Sequence, residues 1–137
     1  MQMKISEYKN LTKKRGLGEE DKLHKQFAQE LRCIERFKPL NCIRWTYLPF
    51  GEKRSYLTAS LLKSKGMKRG YPDFWFVIEN MGFAKNIFIE FKTESKTSKQ
   101  SPEQKEFEKS CSLANEVYYI ARSVEYALEI LKAYHII

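Results

Sequence analysis

The sequence is poor in the residues that bind soft metals or cross-link extracellular domains. Its 137 residues include two histidines and three cysteines, Cys33, Cys42 and Cys111. The cysteines are odd in number and far apart, which argues against a disulfide framework and against a structural zinc site. We therefore expect reduced thiols and a cytosol-like compartment.

Long apolar runs are absent, and acidic residues are in deficit. No run is long enough to span a membrane, and the polar, basic segment from Met1 to Gly18 lacks the apolar core of a signal peptide. Against 25 Lys and Arg there are 17 Asp and Glu, a formal net charge of +8. This surplus favours a polyanionic partner, of which nucleic acid is the commonest, although anionic membranes or solubility alone also account for a basic chain.

What is present fits one folded domain. The chain is 42% hydrophobic, with nine Phe, eight Tyr and two Trp, which favours a packed core over disorder. We expect a flexible basic arm over residues 1–18 and a single domain over residues 19–137. The Lys13-Lys14-Arg15 group in the arm is either a solvated tail or a DNA contact.

Apolar spacing predicts the order helix, strand, short helix, strand, strand, helix, strand and helix. The first helix is predicted from Glu19 to about Phe37, and the short helix from Leu57 to Lys65, with Leu57, Leu61 and Leu62 facing inward. Ser101 and Ser123 are predicted N-caps of the last two helices. The fold class expected from this order is α/β, a mixed central sheet flanked by helices.

The central predicted hairpin carries the candidate chemistry. Pro72 suits the entry of a strand, which places Asp73 where the run beginning at Phe74 starts. In the following strand, a period of two puts Glu90 and Lys92 on one face, roughly 7 Å apart at Cα. Two carboxylates suit Mg²⁺ or Mn²⁺, and the lysine suits a phosphate or an attacking water. Alternatively, this is an edge strand and Glu90 and Lys92 are surface charges.

Two predicted helices place a polar residue at the head of an apolar stripe. Glu20 precedes Leu23 on the first helix and would face the core, unless that helix end is frayed and hydrated. Gln104 occupies the third position after Ser101, which also fits a capping box in which the glutamine only bonds the backbone.

Basic residues surround the predicted acidic site. Such a cluster suits a DNA backbone approaching a metal, or else it is a solvated face. The candidate DNA-binding residues are Lys53, Arg54, Lys63, Lys65, Lys68, Arg69, Lys96 and Lys99.

Taken together, these pieces resemble the VRR-NUC (virus-type replication-repair nuclease) family of the PD-(D/E)xK nuclease superfamily. The resemblance covers roughly residues 19–110. Its matching pieces are Glu20-Asp21-Lys22-Leu23, Lys53-Arg54, Gly66-Met67-Lys68-Arg69-Gly70-Tyr71-Pro72-Asp73, Ile89-Glu90-Phe91-Lys92-Thr93 and Ser101-Pro102-Glu103-Gln104. The chain departs from the family at His24, where Gln is frequent, and at Phe50-Gly51, where Asn-Gly is frequent.

The resemblance implies a restriction-endonuclease-like core and a metal-dependent DNA endonuclease. Asp73, Glu90 and the backbone carbonyl of Phe91 would hold Mg²⁺ or Mn²⁺. Glu20 would be a further metal or water-positioning group, Lys92 the active-site lysine, and Gln104 the glutamine that supports it.

The resemblance also implies partners. Stand-alone phage and bacterial members are associated with homodimers that cut four-way (Holliday) junctions, whereas larger relatives cut flaps as monomers. We therefore expect branched DNA as substrate, a second copy as partner, and the cytoplasm of a bacterial or phage-infected cell. A module that binds branched DNA without cutting it, a flap or fork nuclease, and an RNA substrate remain alternatives.

Overall fold

The computed structural model describes residues 18–52, 54–95 and 97–137. The predicted arm, apart from Gly18, and the candidates Lys53 and Lys96 lie outside the described residues. The elements follow the predicted order: α1 (Glu19–Glu35), β1 (Arg44–Tyr47), a 3₁₀ turn (Pro49–Gly51), α2 (Tyr56–Ser64), β2 (Phe74–Asn80), β3 (Phe83–Phe91), α3 (Pro102–Leu113), β4 (Val117–Ala121) and α4 (Val124–Ala133).

The four strands form one mixed sheet in the order β1-β2-β3-β4, with β1, β2 and β3 antiparallel and β4 parallel to β3. The expected α/β class with a mixed sheet flanked by helices is therefore confirmed. Phe74 pairs with Ile89. Extending this antiparallel register by one residue brings Asp73 opposite Glu90, so the two carboxylates reach the same end of the hairpin.

The sheet is covered on both faces where β3 ends. On one face, Phe27 and Leu31 of α1 pack with Phe74 and Phe91 in the main core. On the other face, Phe107 of α3 lies edge-on to Phe88, with ring centroids 5.1 Å apart. Because β3 is paired on both sides and buried on both faces, Glu90 is not on an edge strand, and that alternative is wrong.

The sequence predicts a turn over Glu79-Asn80-Met81-Gly82 and a second strand from Ile87. The observed strands are longer and the turn is tighter. Only Met81 and Gly82 separate the strands, and both have positive φ (54° and 84°), as in the primed turns that match strand twist. The second strand consequently begins at Phe83, four residues before Ile87, and Lys92 lies just beyond its end.

The short helix forms as predicted, but two of its leucines do not face inward. Leu57 is 79% exposed and Leu61 is 54% exposed, and the helix has no buried residue. The prediction of an inward apolar stripe was wrong because α2 is not packed against the sheet. None of the described helices is both long enough and apolar enough to cross a membrane.

Candidate active site

Four of the predicted site residues form one polar cluster at the end of the hairpin. The Nζ atom of Lys92 lies 3.7 Å from Oε1 of Glu20 and 3.8 Å from Oε1 of Glu90. Gln104 donates from Nε2 to the same Glu90 oxygen at 2.7 Å. Residues from α1, β3 and α3 therefore meet around one lysine and one carboxylate.

Asp73 joins this cluster through the backbone of β3. Its Oδ2 accepts a hydrogen bond of 2.7 Å from the amide of Phe91, and its own carbonyl accepts one of 2.7 Å from Leu48. The side chain is only 14% exposed. Asp73 thus lies at the strand entry predicted from Pro72. Its carboxylate is held at the backbone of Phe91, the residue between Glu90 and Lys92.

Glu90 is the least hydrated charged group of the cluster. Its side chain is 2% exposed, and its Oε2 is buried without a hydrogen-bond partner among the described residues. Burial, with smaller contributions from the Asp73 and Glu20 carboxylates, raises the pKa of Glu90 to about 9 although Lys92 acts to lower it. Without a cation, Glu90 therefore keeps its proton at neutral pH, because its protein neighbours alone do not compensate the charge of its carboxylate.

This arrangement fits a hard cation. The orphaned oxygen of Glu90 and the neighbouring Asp73 form an all-oxygen donor set, which suits Mg²⁺ or Mn²⁺ and leaves room for water. Among the described residues, no three His, Cys, Asp or Glu side chains are grouped so as to hold a metal by themselves. A cation here would need further oxygen ligands from backbone, water or substrate.

Gln104 makes both of the contacts that were alternatives in the sequence. Its Oε1 accepts a hydrogen bond of 2.8 Å from the backbone N–H of Ser101, and the backbone N–H of Gln104 donates to Ser101 Oγ at 3.2 Å. These two bonds form the predicted capping box. Its Nε2 is left to donate to Glu90. Because the same side-chain amide accepts from Ser101 and donates to Glu90, the cap fixes the direction from which Nε2 reaches the Glu90 carboxylate.

Glu20 is anchored rather than frayed. Its side chain is 40% exposed, yet its Oε1 accepts a 3.0 Å hydrogen bond from Ser98 in addition to facing Lys92. The head of α1 and the loop after β3 are thereby tied together beside the cluster.

His24 is a site residue that sequence reasoning noted only as a departure from the family. Its Nε2 lies 3.0 Å from Oδ2 of Asp73, and its side chain is 12% exposed. The ring is held among Tyr47, Phe74 and Phe91, at centroid distances of 5.3, 6.0 and 5.7 Å. The available signal was its position one turn after Glu20, on the same side of α1.

The segment leading into Asp73 is seated on the first turn of α3. Gly70 has φ +90°, and a Cβ at this position would overlap the backbone of Glu103. Tyr71 follows with its ring between Phe50 (4.9 Å) and Phe107 (4.8 Å). Glycine is needed here both for its backbone conformation and for close approach, and the seat sets where Asp73 begins β2.

The predicted basic residues divide into two groups. The half-buried guanidinium of Arg54 donates to the carbonyls of Pro49 and Phe50, so it braces the 3₁₀ turn. The remaining described candidates have exposed side chains: Lys63, Lys65, Lys68, Arg69 and Lys99. These five are available to a polyanion, whereas Arg54 has a structural role in its own loop.

Compared with known proteins, the chain matches no family model, no curated protein and no solved structure.

Proposed function

We propose that the chain is a metal-dependent endonuclease that hydrolyses DNA phosphodiester bonds, built on a PD-(D/E)xK core of the VRR-NUC type. The observation that carries the proposal is the buried Glu90, with one unpartnered oxygen, beside Asp73, Lys92 and Gln104. Burial of an uncompensated carboxylate costs several kcal/mol, and binding of a cation would offset that cost.

In this proposal Asp73, Glu90 and the carbonyl of Phe91 hold Mg²⁺ or Mn²⁺, with Glu20 as a further group toward the ion or its water. The bound ion supplies an acidified water and neutralises charge on the phosphate. Gln104 donates to Glu90 Oε1, so Oε2 would be the oxygen that remains available to a cation.

Lys92 is the positively charged hydrogen-bond donor of the proposed site. It is 7% exposed and lies between Glu20 and Glu90, where its ammonium group can orient a water or stabilise developing phosphate charge. Lys92 lies just past the end of β3, at the rim of the sheet. A substrate would reach it there.

Branched DNA is the proposed substrate, cut at four-way junctions by a homodimer. The exposed lysines and Arg69 provide the positive surface that a duplex backbone requires. Two copies related by a two-fold axis would present two sites to the paired strands of a symmetric junction.

The deciding experiment incubates the full chain with end-labelled four-way junction, flap and linear duplex DNA in Mg²⁺, Mn²⁺, Ca²⁺ or EDTA. Paired nicks on the junction that require Mg²⁺ or Mn²⁺ are expected. Asp73→Asn should lower the cleavage rate by about three orders of magnitude while retaining DNA binding. The matched control is Glu129→Gln on the exposed side of α4, which should cut like the wild type.

Undiminished cutting by Asp73→Asn would refute the site assignment. Tight binding of the junction with no nicks under any divalent ion would instead favour a module that binds branched DNA, and cutting of a matched RNA substrate in preference to DNA would change the substrate class.

A further inference from the structure

The helix α2 is complete at both ends yet uncovered along its side. Ser55 caps its start by accepting from the amide of Thr58 at 3.2 Å, and Gly66, with φ +96°, follows its last turn. None of its residues is buried. Nine residues are too few to form a stable helix in water without packing, so the exposed face is suited to a partner.

That exposed face is apolar. Tyr56 is 85% exposed, Leu57 79% and Leu61 54%. At 100° per residue these three side chains lie within one half of the helix surface, and Leu57 and Leu61 are one turn apart. Side chains of this kind, at this exposure, are the type that proteins insert between base pairs.

The charged residues of the segment that carries this face are all basic. From Arg54 to Pro72 the sequence contains five basic residues and no acidic residue. The four that follow the middle of the helix, Lys63, Lys65, Lys68 and Arg69, are exposed. This charge complements a polyanion, and it opposes a two-fold contact between copies, which would bring ten positive charges together.

The helix belongs to an excursion that begins and ends at the candidate site. The excursion leaves the sheet after Leu48, whose amide donates to the carbonyl of Asp73 at 2.7 Å, and it returns at Asp73 itself. Gly70 and Tyr71 seat its returning limb on α3. A ligand on α2 would therefore lie on the segment that leads into Asp73.

We propose that α2 is a wedge that opens a base step at a DNA branch point, with Leu57 and Leu61 replacing the lost stacking, Tyr56 stacking on a base, and the neighbouring lysines and Arg69 holding phosphates. This inference rests on the proposed function, since it names the feature of the DNA that the same site acts on: a base step that is already weakly stacked. Opening such a step costs least at a branch, so the wedge gives preference for branched DNA over linear duplex.

The test uses the full chain in Ca²⁺ with two DNA probes of equal length, a four-way junction and a linear duplex, each carrying 2-aminopurine at its centre. Binding of the wild type should raise the fluorescence of the junction probe but not of the duplex. In Leu57→Gln/Leu61→Gln the rise should be lost, and junction affinity should fall about tenfold while duplex affinity stays within about twofold.

Met81→Gln/Phe83→Gln is the control, because it removes two exposed apolar side chains at the end of the hairpin away from the candidate site. Circular dichroism checks that both variants fold. An unchanged fluorescence rise in the α2 variant overturns the inference. So does a change from dimer to monomer in sedimentation of the α2 variant, since α2 would then be a contact between copies.

Cleavage in Mn²⁺ separates this inference from the proposed function. Helix-dependent unstacking without any cutting would refute the nuclease and leave the wedge standing. Cutting without helix-dependent unstacking would do the reverse.

Discussion

The two ends of the β2–β3 hairpin reverse the usual pattern of burial, because charged side chains are buried at one end and apolar side chains are exposed at the other. At one end, Glu90 and Lys92 are 2% and 7% exposed. At the other end, Met81 and Phe83 are 89% and 78% exposed. The difference lies in what covers each end: α1 and α3 bring polar side chains to the buried charges, whereas the turn and the start of β3 extend beyond the residues that pair with β1 and β4.

Burial of these charges costs free energy, and each of them lies beside a polar partner. Glu90 has Gln104, Lys92 has Glu20, and Asp73 has the amide of Phe91 and the ring of His24. A carboxylate that served only stability would be replaced by a well-packed apolar residue without loss. This concentration of partnered charge is typical of a functional site.

The largest effect within this comparison is expected from His24. Replacing it with Leu should weaken Mn²⁺ binding about 10- to 100-fold, because Asp73 loses a neighbour that fixes its carboxylate. His24→Gln restores a polar side chain of similar reach and should recover most of the affinity. Calorimetric titration of Mn²⁺ measures both variants, and equal affinities for wild type and His24→Leu would show that the contact has no positioning role.

A smaller effect is expected on stability from Glu90→Gln without divalent ions. The folded pKa of Glu90 is about 9, above its ordinary value of 4.5, so the folded state keeps a proton that the unfolded state releases. Glu90 therefore contributes its full stability below pH 4.5 and loses it as the pH rises toward 9. The variant lacks this loss, so its Tm should exceed that of the wild type by a few degrees at pH 8 and by less at pH 5.

Thermal melts in EDTA at the two pH values measure this difference, with Glu129→Gln as the exposed control. Mn²⁺ should raise the Tm of the wild type and not of Glu90→Gln. A variant that is less stable than the wild type at pH 8 in EDTA would mean that Glu90 is already compensated by its protein neighbours.

The smallest effect is expected at the hairpin tip. Phe83→Ser removes an exposed ring, so the free energy of unfolding should change by no more than about 0.5 kcal/mol. Chemical denaturation measures it. A loss of 2 kcal/mol or more would show that the tip is covered in solution, for example by a second copy, and sedimentation at several concentrations would then identify the dimer.

Much of the candidate site was predictable because its signals are local. Pro72 before Asp73 marks a strand entry, the spacing of Glu90 and Lys92 follows the period of a strand, and Ser101 to Gln104 is a capping pattern. Each depends on backbone preferences within about four residues. The structure brings Glu20, Glu90, Lys92 and Gln104 together, a grouping that the family resemblance implied and the local signals alone did not.

The sequence was a poor guide where contacts with distant segments of the chain determine the environment of a side chain. The inward stripe predicted for α2 followed from its spacing of leucines, but spacing cannot show whether another element lies beside the helix. The assignment of Arg54 to DNA, from its charge and from the family resemblance, stays a prediction, but neither signal indicated that its guanidinium donates to the carbonyls of Pro49 and Phe50.

The sequence by itself determined the order of helices and strands, the caps, and the faces on which Asp73, Glu90 and Lys92 lie, because these depend on dihedral preferences and on fixed side-chain periods. Only the tertiary structure decided that β3 is central, through its pairing with β4, and that His24 meets Asp73 across 49 positions of the chain. Burial of Glu90 follows from the central position of β3 and from the packing of α3 on the face of the sheet that carries Glu90. The physical reason is that burial and the resulting pKa depend on which surfaces pack together, and packing joins residues whose separation along the chain carries no local signal.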